Sequence, residues 1–352
     1  MISRAVNVIA LAGVSGFLLL ALAAFGLNTW LNSPVNLATD KILLIESGDT
    51  LSKIVYDFSS EGILRHPTLL IWYAQLTQRD QLKVGEYRIP AKISPEGLLD
   101  IFQSGQVLTY NVTLVEGLTF NDFLNILSKQ EKVVPSLAGK NFAEIKARLK
   151  IDIEHPEGWF YPDTYQYTAG TRDVAILKQA HQKMKTVLDE EWANRADNLP
   201  YKNAYEALIM ASIVEKETGV AHERGQIAGV FVRRLQKGMR LQTDPTIIYG
   251  LGDEYQGNIR RKHITQKTAY NTYVIDGLPP TPIAMPARQA IHAALNPKSG
   301  NSLFFVAKGD GSHQFSETYE QHKQAVQKYQ IDQRKKNYQS APSQPSQHQT
   351  KE

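Results

Sequence analysis

The 352-residue chain contains no cysteine. That excludes a disulfide framework, an iron–sulfur cluster and a thiolate zinc site. It has no marked excess of either charge: 39 Lys and Arg stand against 35 Asp and Glu, a formal net charge of +4. With no stripe of interleaved basic and aromatic residues, this balance gives no footprint for nucleic acid. There is no G-x-x-x-x-G-K-[ST] phosphate loop and no G-x-S-x-G elbow. His313 and His322 are too scattered to make a metal site, so no metal and no cofactor are expected. No internal repeat is visible. The rest is ordinary globular composition, with 42% hydrophobic and 21% charged residues, and the length suffices for two modest domains.

No charged residue stands between Arg4 and Asp40, and residues 5–27 are strongly apolar. Such a run is long enough to cross a bilayer as a helix. Trp30 follows where an interfacial aromatic residue sits, and Arg4 with the amino terminus places residues 1–4 in the cytoplasm. The alternative is a cleaved signal peptide ending near Ala21-Leu22-Ala23. The apolar run exceeds the usual length of such a region, which favours an uncleaved anchor.

Residues 28–40 read as a juxtamembrane linker. From Lys41 the pattern is strand (ILLIE), helix (LSKIVYDFSSEG), helix (HPTLLIWYAQL), strand (LKVGEYRIP) and a helix opened by Ser94-Pro95. This β-α-α-β order over 41–107 has the size of a LysM module, and ESGDTLSKI resembles the opening of one. A generic small α+β unit fits the same residues. A larger mixed unit follows over 108–331, with a strand in 108–117, a helix capped by Thr119 or Asn121, and helices near 141–149, 172–194, 203–218 and 222–237. LFFVA and HQFS flank the turn KGDGS as a hairpin, and a last amphipathic helix reaches about Gln330. Residues 332–352 hold nothing that could form a core and read as a disordered tail. The expected fold class is α+β, with a transmembrane helix, a small unit and a larger unit.

The stretch LIMASIVEKETG (208–219) carries the chemistry. A helix apolar on nearly every face lies inside a domain. Glu215 and Glu217 close it, and two residues apart on a helix they point to nearly opposite sides. Gly219 is the expected cap, which sets both carboxylates at the negative end of the helix dipole. Dipole and burial both favour the protonated form, and a Glu kept neutral near pH 7 is a general acid. Equally, His222 or Arg224 could pair with either carboxylate in a purely structural role.

Other stretches combine rings with polar groups, as a sugar-binding groove requires. EGWFYPDTY (157–165) sets Trp159, Phe160, Tyr161 and Tyr165 beside Asp163; GMRLQTDPTIIYG (238–250) carries Arg240, Gln242 and Asp244; TAYNTY (268–273) carries Tyr270, Asn271 and Tyr273; GLPPTPIAMPA (277–287) is a stiff loop. Each has a plainer reading. Asp244-Pro245 is a standard helix start, Tyr161 and Tyr165 suit a core, and His313 beside a hairpin turn suits an exposed position.

In this order behind one N-terminal anchor, ASIVEKET, GMRLQTDPTIIYG, EGWFYPDTY, TAYNTY and the GLPPTPIAMPA loop resemble the endolytic murein transglycosylases of the MltG/YceG family. The resemblance runs from the anchor to about residue 330. It implies that the second Glu of EKET, Glu217, is the essential acid, and that 41–107 is a LysM-like subdomain before a catalytic one. It further implies a lyase of the inner membrane with its catalytic domain in the periplasm. Such an enzyme cuts nascent peptidoglycan strands to 1,6-anhydro ends near the synthases that make them. One carboxyl group suffices for that reaction, whereas most glycoside hydrolases use two. Substrate contacts are expected from Glu215, Tyr161, Asp163, Gln242, Asp244, Tyr270, Asn271 and Tyr273. Two rival readings remain. One is a membrane-anchored muramidase with Asp163 or Asp244 as second carboxylate, and the other a wall-binding scaffold without catalysis.

Overall fold

A computed structural model describes residues 2–333. The tail expected over 332–352 lies outside the described residues from 334 onward. The chain divides into two units, 1–110 with 166–170, and 111–165 with 171–352. The first unit therefore reaches a little past the boundary expected at 107 and takes back a short later segment.

Unit 1 begins with α1 (Ile2–Leu31), in which Gly13–Leu31 is long and apolar enough to cross a membrane. The helix runs on through Leu31, so the start of the segment expected as linker, 28–31, is helical. Asn32 and Ser33 finish it with side-chain bonds back to the carbonyls of Asn28 and Thr29. Then come β1 (Lys41–Ile45), α2 (Leu51–Ser60), α3 (Pro67–Leu76), β2 (Gly85–Ile89) and α4 (Pro95–Ser104). The order β-α-α-β is the one the sequence pattern implies. Thr50 and Ser94 cap α2 and α4 by accepting from the backbone N–H three residues on, and Pro67 and Pro95 occupy the first turns of α3 and α4. β1 and β2 pair antiparallel with Leu43 opposite Tyr87. Val55, Phe58, Leu70, Tyr87, Leu98 and Phe102 form the buried core between this ribbon and the helices.

β3 (Thr109–Thr113) leads into unit 2. There follow α5 (Phe120–Ser128), β4 (Val133–Val134), α6 (Phe142–Leu149), β5 (Thr164–Thr168), β6 (Thr171–Arg172) and α7 (Asp173–Ala193). The chain continues through α8 (Ala204–Glu217), α9 (Arg224–Gln236), α10 (Asp244–Leu251), α11 (Arg261–Thr265), α12 (Arg288–Leu295), β7 (Phe304–Ala307), β8 (His313–Ser316) and α13 (Tyr319–Val326). Thr119, not Asn121, caps α5, in a reciprocal box with Asp122. β4 pairs parallel with β6, and β7 with β8 antiparallel, so the fold is a mixture of helices and two-stranded sheets. α8 packs against α12, α9, α7 and α10, and its burial from Ala207 to Glu215 makes it the axis of the core. A helix apolar on every face has no other stable place in a soluble unit.

His313 corrects the expectation of an exposed residue beside the hairpin. It is buried, its ring Nδ1 lies 2.8 Å from a carboxylate oxygen of Glu223, and its backbone N–H donates to the other oxygen at 3.0 Å. This bidentate contact ties the hairpin to the start of α9.

Candidate active site

Asn203 starts α8, accepting from the Glu206 N–H at 3.0 Å. Thr218 ends it in an extended conformation, one residue before the glycine expected to do so. Three polar side chains near that end have separate tasks. Ser212 donates to the Ile209 carbonyl at 2.7 Å and accepts from the Ile283 N–H at 3.0 Å. Glu215 accepts from the Ala287 N–H at 2.8 Å and faces the Arg224 guanidinium at 3.6 Å. Both hold the 277–287 loop on the helix. Burial pushes the Glu215 carboxyl up, against the opposing pull of the Ala287 N–H and Arg224. Glu217, two residues on, turns to the other side, as helical geometry requires.

That side is a groove of about 1870 Å³, lined by Glu217 together with Gln242, Asp244, Tyr270 and Tyr273. Four of the expected contact residues thus share one surface with the expected acid. The arrangement comes from how two segments pair. The Gln242 N–H donates to the Thr272 carbonyl at 3.1 Å, and the Thr243 N–H donates to the Thr272 hydroxyl at 3.1 Å. The buried hydroxyls of Thr246 and Thr272 stand 2.9 Å apart. Tyr273 is thereby carried to Asp244, where its hydroxyl donates at 2.7 Å. Asp244 does not cap α10; Thr243 occupies the cap position, with Asp244 and Pro245 in the first turn. The freed Thr243 hydroxyl donates to Glu217 instead. Gln242 holds a left-handed conformation at φ 50°, unusual for a residue with a side chain, and such strain concentrates at working sites.

Burial pushes the Glu217 carboxyl up to about 7, opposed by the Thr243 hydrogen bond, assisted by the Asp244 charge and opposed again by Arg234. Proton donors and acceptors with such values are what general acid chemistry at neutral pH requires. Among the described residues no group of three or more His, Asp and Glu could hold a metal ion.

The other expected contacts lie elsewhere. Tyr161 packs against the core with Lys183 over its ring at 5.2 Å, and Asp163 pairs with the same lysine. Asn271 is buried and donates to the carbonyls of His263, Ile264 and Gln266. It is a loop clamp, as the amide of a buried Asn must find several partners. From the EGWFYPDTY stretch it is Glu157, not Tyr161 or Asp163, that reaches the groove. One Glu157 oxygen accepts from the Phe120 N–H at 2.7 Å, and the other is buried without a partner. Burial pushes this carboxyl up to about 7 as well. Its sequence signal was weak: a lone Glu ahead of aromatic residues looks like any surface Glu.

Gly158 explains how Glu157 is placed. It adopts φ +81°, and a Cβ there would stand 2.6 Å from Cγ of Pro282 and 3.2 Å from the Leu208 side chain. Gly158→Ala is expected to destabilise unit 2 by about 3 kcal/mol, the sum of left-handed strain and overpacking against a stiff ring. Thermal denaturation tests this, and an unchanged midpoint would mean that the 277–287 loop yields freely.

The chain is 27% identical over 307 residues to the endolytic murein transglycosylase of Bacillus subtilis (strain 168), covering 81% of this chain and 83% of that protein. It is 26% identical over 317 residues to the endolytic murein transglycosylase of Streptococcus pneumoniae serotype 2 (strain D39), covering 80% of this chain and 57% of that relative's length. A YceG-like protein from Listeria monocytogenes superposes with a TM-score of 0.53 at 25% identity, over 81% of this chain and 98% of that one. The YceG-like family matches residues 43–328, and the chain belongs to that family.

Proposed function

We propose that the protein is an endolytic lytic transglycosylase of peptidoglycan, with Glu217 as its single acid and base. The observation that carries this reading is the Glu217 carboxyl at the end of α8, held near neutral by burial and opening on a polar and aromatic groove. The names of the relatives support the substrate class. Protonated Glu217 gives its proton to the glycosidic oxygen as the bond from the anomeric carbon of N-acetylmuramic acid breaks. The resulting carboxylate then takes the proton of that sugar's 6-hydroxyl, whose oxygen bonds to the anomeric carbon. The product is a 1,6-anhydro ring, and no water enters. One group acting first as acid and then as base satisfies both halves. The Thr243 hydroxyl, donating to Glu217, steadies the carboxylate formed halfway. Gln242, Asp244, Tyr270 and Tyr273 contact the sugars, with Glu157 offering its free oxygen to a substrate hydroxyl or amide.

α1 crosses the inner membrane with its N-terminus in the cytoplasm, unit 2 works in the periplasm, and unit 1 serves as a LysM-like glycan holder. A tethered enzyme reaches only strands near the membrane, which are the newly made ones, so cutting ends their elongation beside the synthases. A hydrolytic reading has one observation in its favour: Asp244 lines the same groove and its charge acts on Glu217. Mass spectrometry of fragments released from intact peptidoglycan separates the two. Internal fragments with anhydro ends, one water lighter than hydrolytic products, are expected. Hydrated ends would make the enzyme a muramidase, and binding without release would make it a scaffold.

A further inference from the structure

α3 has little polar surface: Thr68 and Gln75 are the polar residues among its exposed positions. Leu70, Ile71 and Ala74 are buried in the core of unit 1, yet Leu69, Trp72 and Leu76 stand out on the opposite side, 42%, 73% and 86% exposed. Positions 69, 72 and 76 form one stripe along the helix. A helix apolar on both sides is normally covered on both. Here unit 1 covers only one.

The uncovered side is continuous with α1. A cavity of about 610 Å³ is walled by Leu20, Ala23, Leu27 and Trp30 of α1 and by His66 and Leu69 at the start of α3. The ring of Trp30 meets that of His66 edge-on at 6.1 Å. From Trp30 back to Leu20 is roughly 15 Å of helix, all inside the segment able to cross a membrane. Whatever surrounds the end of α1 therefore also reaches Leu69. Trp72 on the stripe and Trp30 near the end of α1 are the ring type enriched at the headgroup level, and half-exposed Tyr56 stands beside α3, its hydroxyl 3.5 Å from that of Thr68. Exposed Arg65 precedes the helix, where a cation meets lipid phosphate.

We propose that α3 is an interfacial membrane helix: Leu69, Trp72 and Leu76 sink into the acyl boundary of the bilayer that α1 crosses. The occupant of this surface is lipid. The protein is then held at the membrane by two contacts, a span and a helix beside it, which fixes unit 1 against the surface instead of leaving it on a free tether. The proposal rests on α1 as a membrane span, and the experiment reads α1 and α3 separately.

Because the chain has no cysteine, single cysteines can be placed in the full-length protein at Leu20, Ser60, Trp72 and Leu76 and labelled with a fluorophore. The protein is reconstituted in phosphatidylethanolamine and phosphatidylglycerol vesicles and probed with spin-labelled lipid and with aqueous iodide. Labels at 72 and 76 are expected to be quenched about twofold or more by the lipid and shielded from iodide, as at an acyl boundary. Leu20→Cys is expected to behave likewise, and Ser60→Cys, exposed on the end of α2, to respond to iodide. Iodide quenching at 72 and 76 equal to that at 60, with 20 still quenched by lipid, would overturn the proposal. Protection of 72 and 76 from both quenchers would also overturn it, since the stripe would then be covered by protein, a second copy included. A label at 20 open to iodide would instead remove α1 as a span, and the proposal with it.

Discussion

Glu217→Gln is expected to lower the rate of fragment release by about 10³-fold, the scale of a lost general acid, with the fold intact. Gln keeps the shape of Glu and an oxygen for the Thr243 hydroxyl, but it has no proton to give. The pH dependence follows from the same group. Its pKa of about 7 means that the acid form, needed for the first step, is lost as pH rises through that value. kcat/KM is therefore expected to fall tenfold per pH unit above about 7. Stability should show the complementary sign. A carboxyl raised from 4.5 to about 7 binds more protons folded than unfolded between those values. Its effect on stability is favourable below 4.5 and is lost as pH rises to about 7. Glu217→Gln should then melt no higher than wild type at pH 4 and higher at pH 8. Near-normal release by this variant would send the search for the acid to Glu157 or Asp244. A melting difference independent of pH would mean that Glu217 is not a raised carboxyl in the folded protein.

Arg234→Met is expected to be the most destabilising single change in the groove wall, at about 4 kcal/mol, or about 10 °C in the melting temperature of unit 2. Arg234 is 7% exposed. Its guanidinium donates to the Leu303 carbonyl at 2.6 Å, to that of Leu241 at 2.8 Å and to that of Arg240 at 3.3 Å, and it stands 5.1 Å from the Phe304 ring. One side chain thereby joins α9 to the hairpin and to the segment that leads into Gln242 and Thr243. Met fills part of the volume but takes the donor from three carbonyls, of which that of Leu241 is fully buried. The change also reaches the site. The Arg234 cation holds the Glu217 carboxyl down, so without it the acid form survives to higher pH. The falling limb of kcat/KM should move upward in pH, an effect that loosened packing alone would not produce. A melting shift below about 2 °C would mean that water replaces the guanidinium at those carbonyls.

Much of this protein could be read without coordinates, and the residues that could not share one property. The helices at Leu51–Ser60, Phe142–Leu149, Asp173–Ala193 and Arg224–Gln236 and the hairpin at Phe304–Ala307 and His313–Ser316 stand close to their expected places. Each depends on a cap, a turn glycine or an apolar period within a few residues, and such signals are local. The apolar run of α8 likewise determined that it lies in the core, and the two-residue spacing that Glu215 and Glu217 part company.

Which of the two faces the groove was decided only by the tertiary structure. Glu215 meets Ala287, far along the chain, while Glu217 meets Thr243. The same holds for Asn271, whose aromatic neighbours suggested a sugar contact until three loop carbonyls claimed its amide. It holds for His313, buried by Glu223, and for Glu157, whose partner Phe120 opens another helix. Sequence by itself determined many of the elements, the central helix and the family, but not α12 (Arg288–Leu295), which packs on that helix. The tertiary structure decided which polar side chains are spent on holding loops and which line the groove. Hydrogen-bond partners of buried polar groups come from segments far apart in sequence, and no local pattern records them.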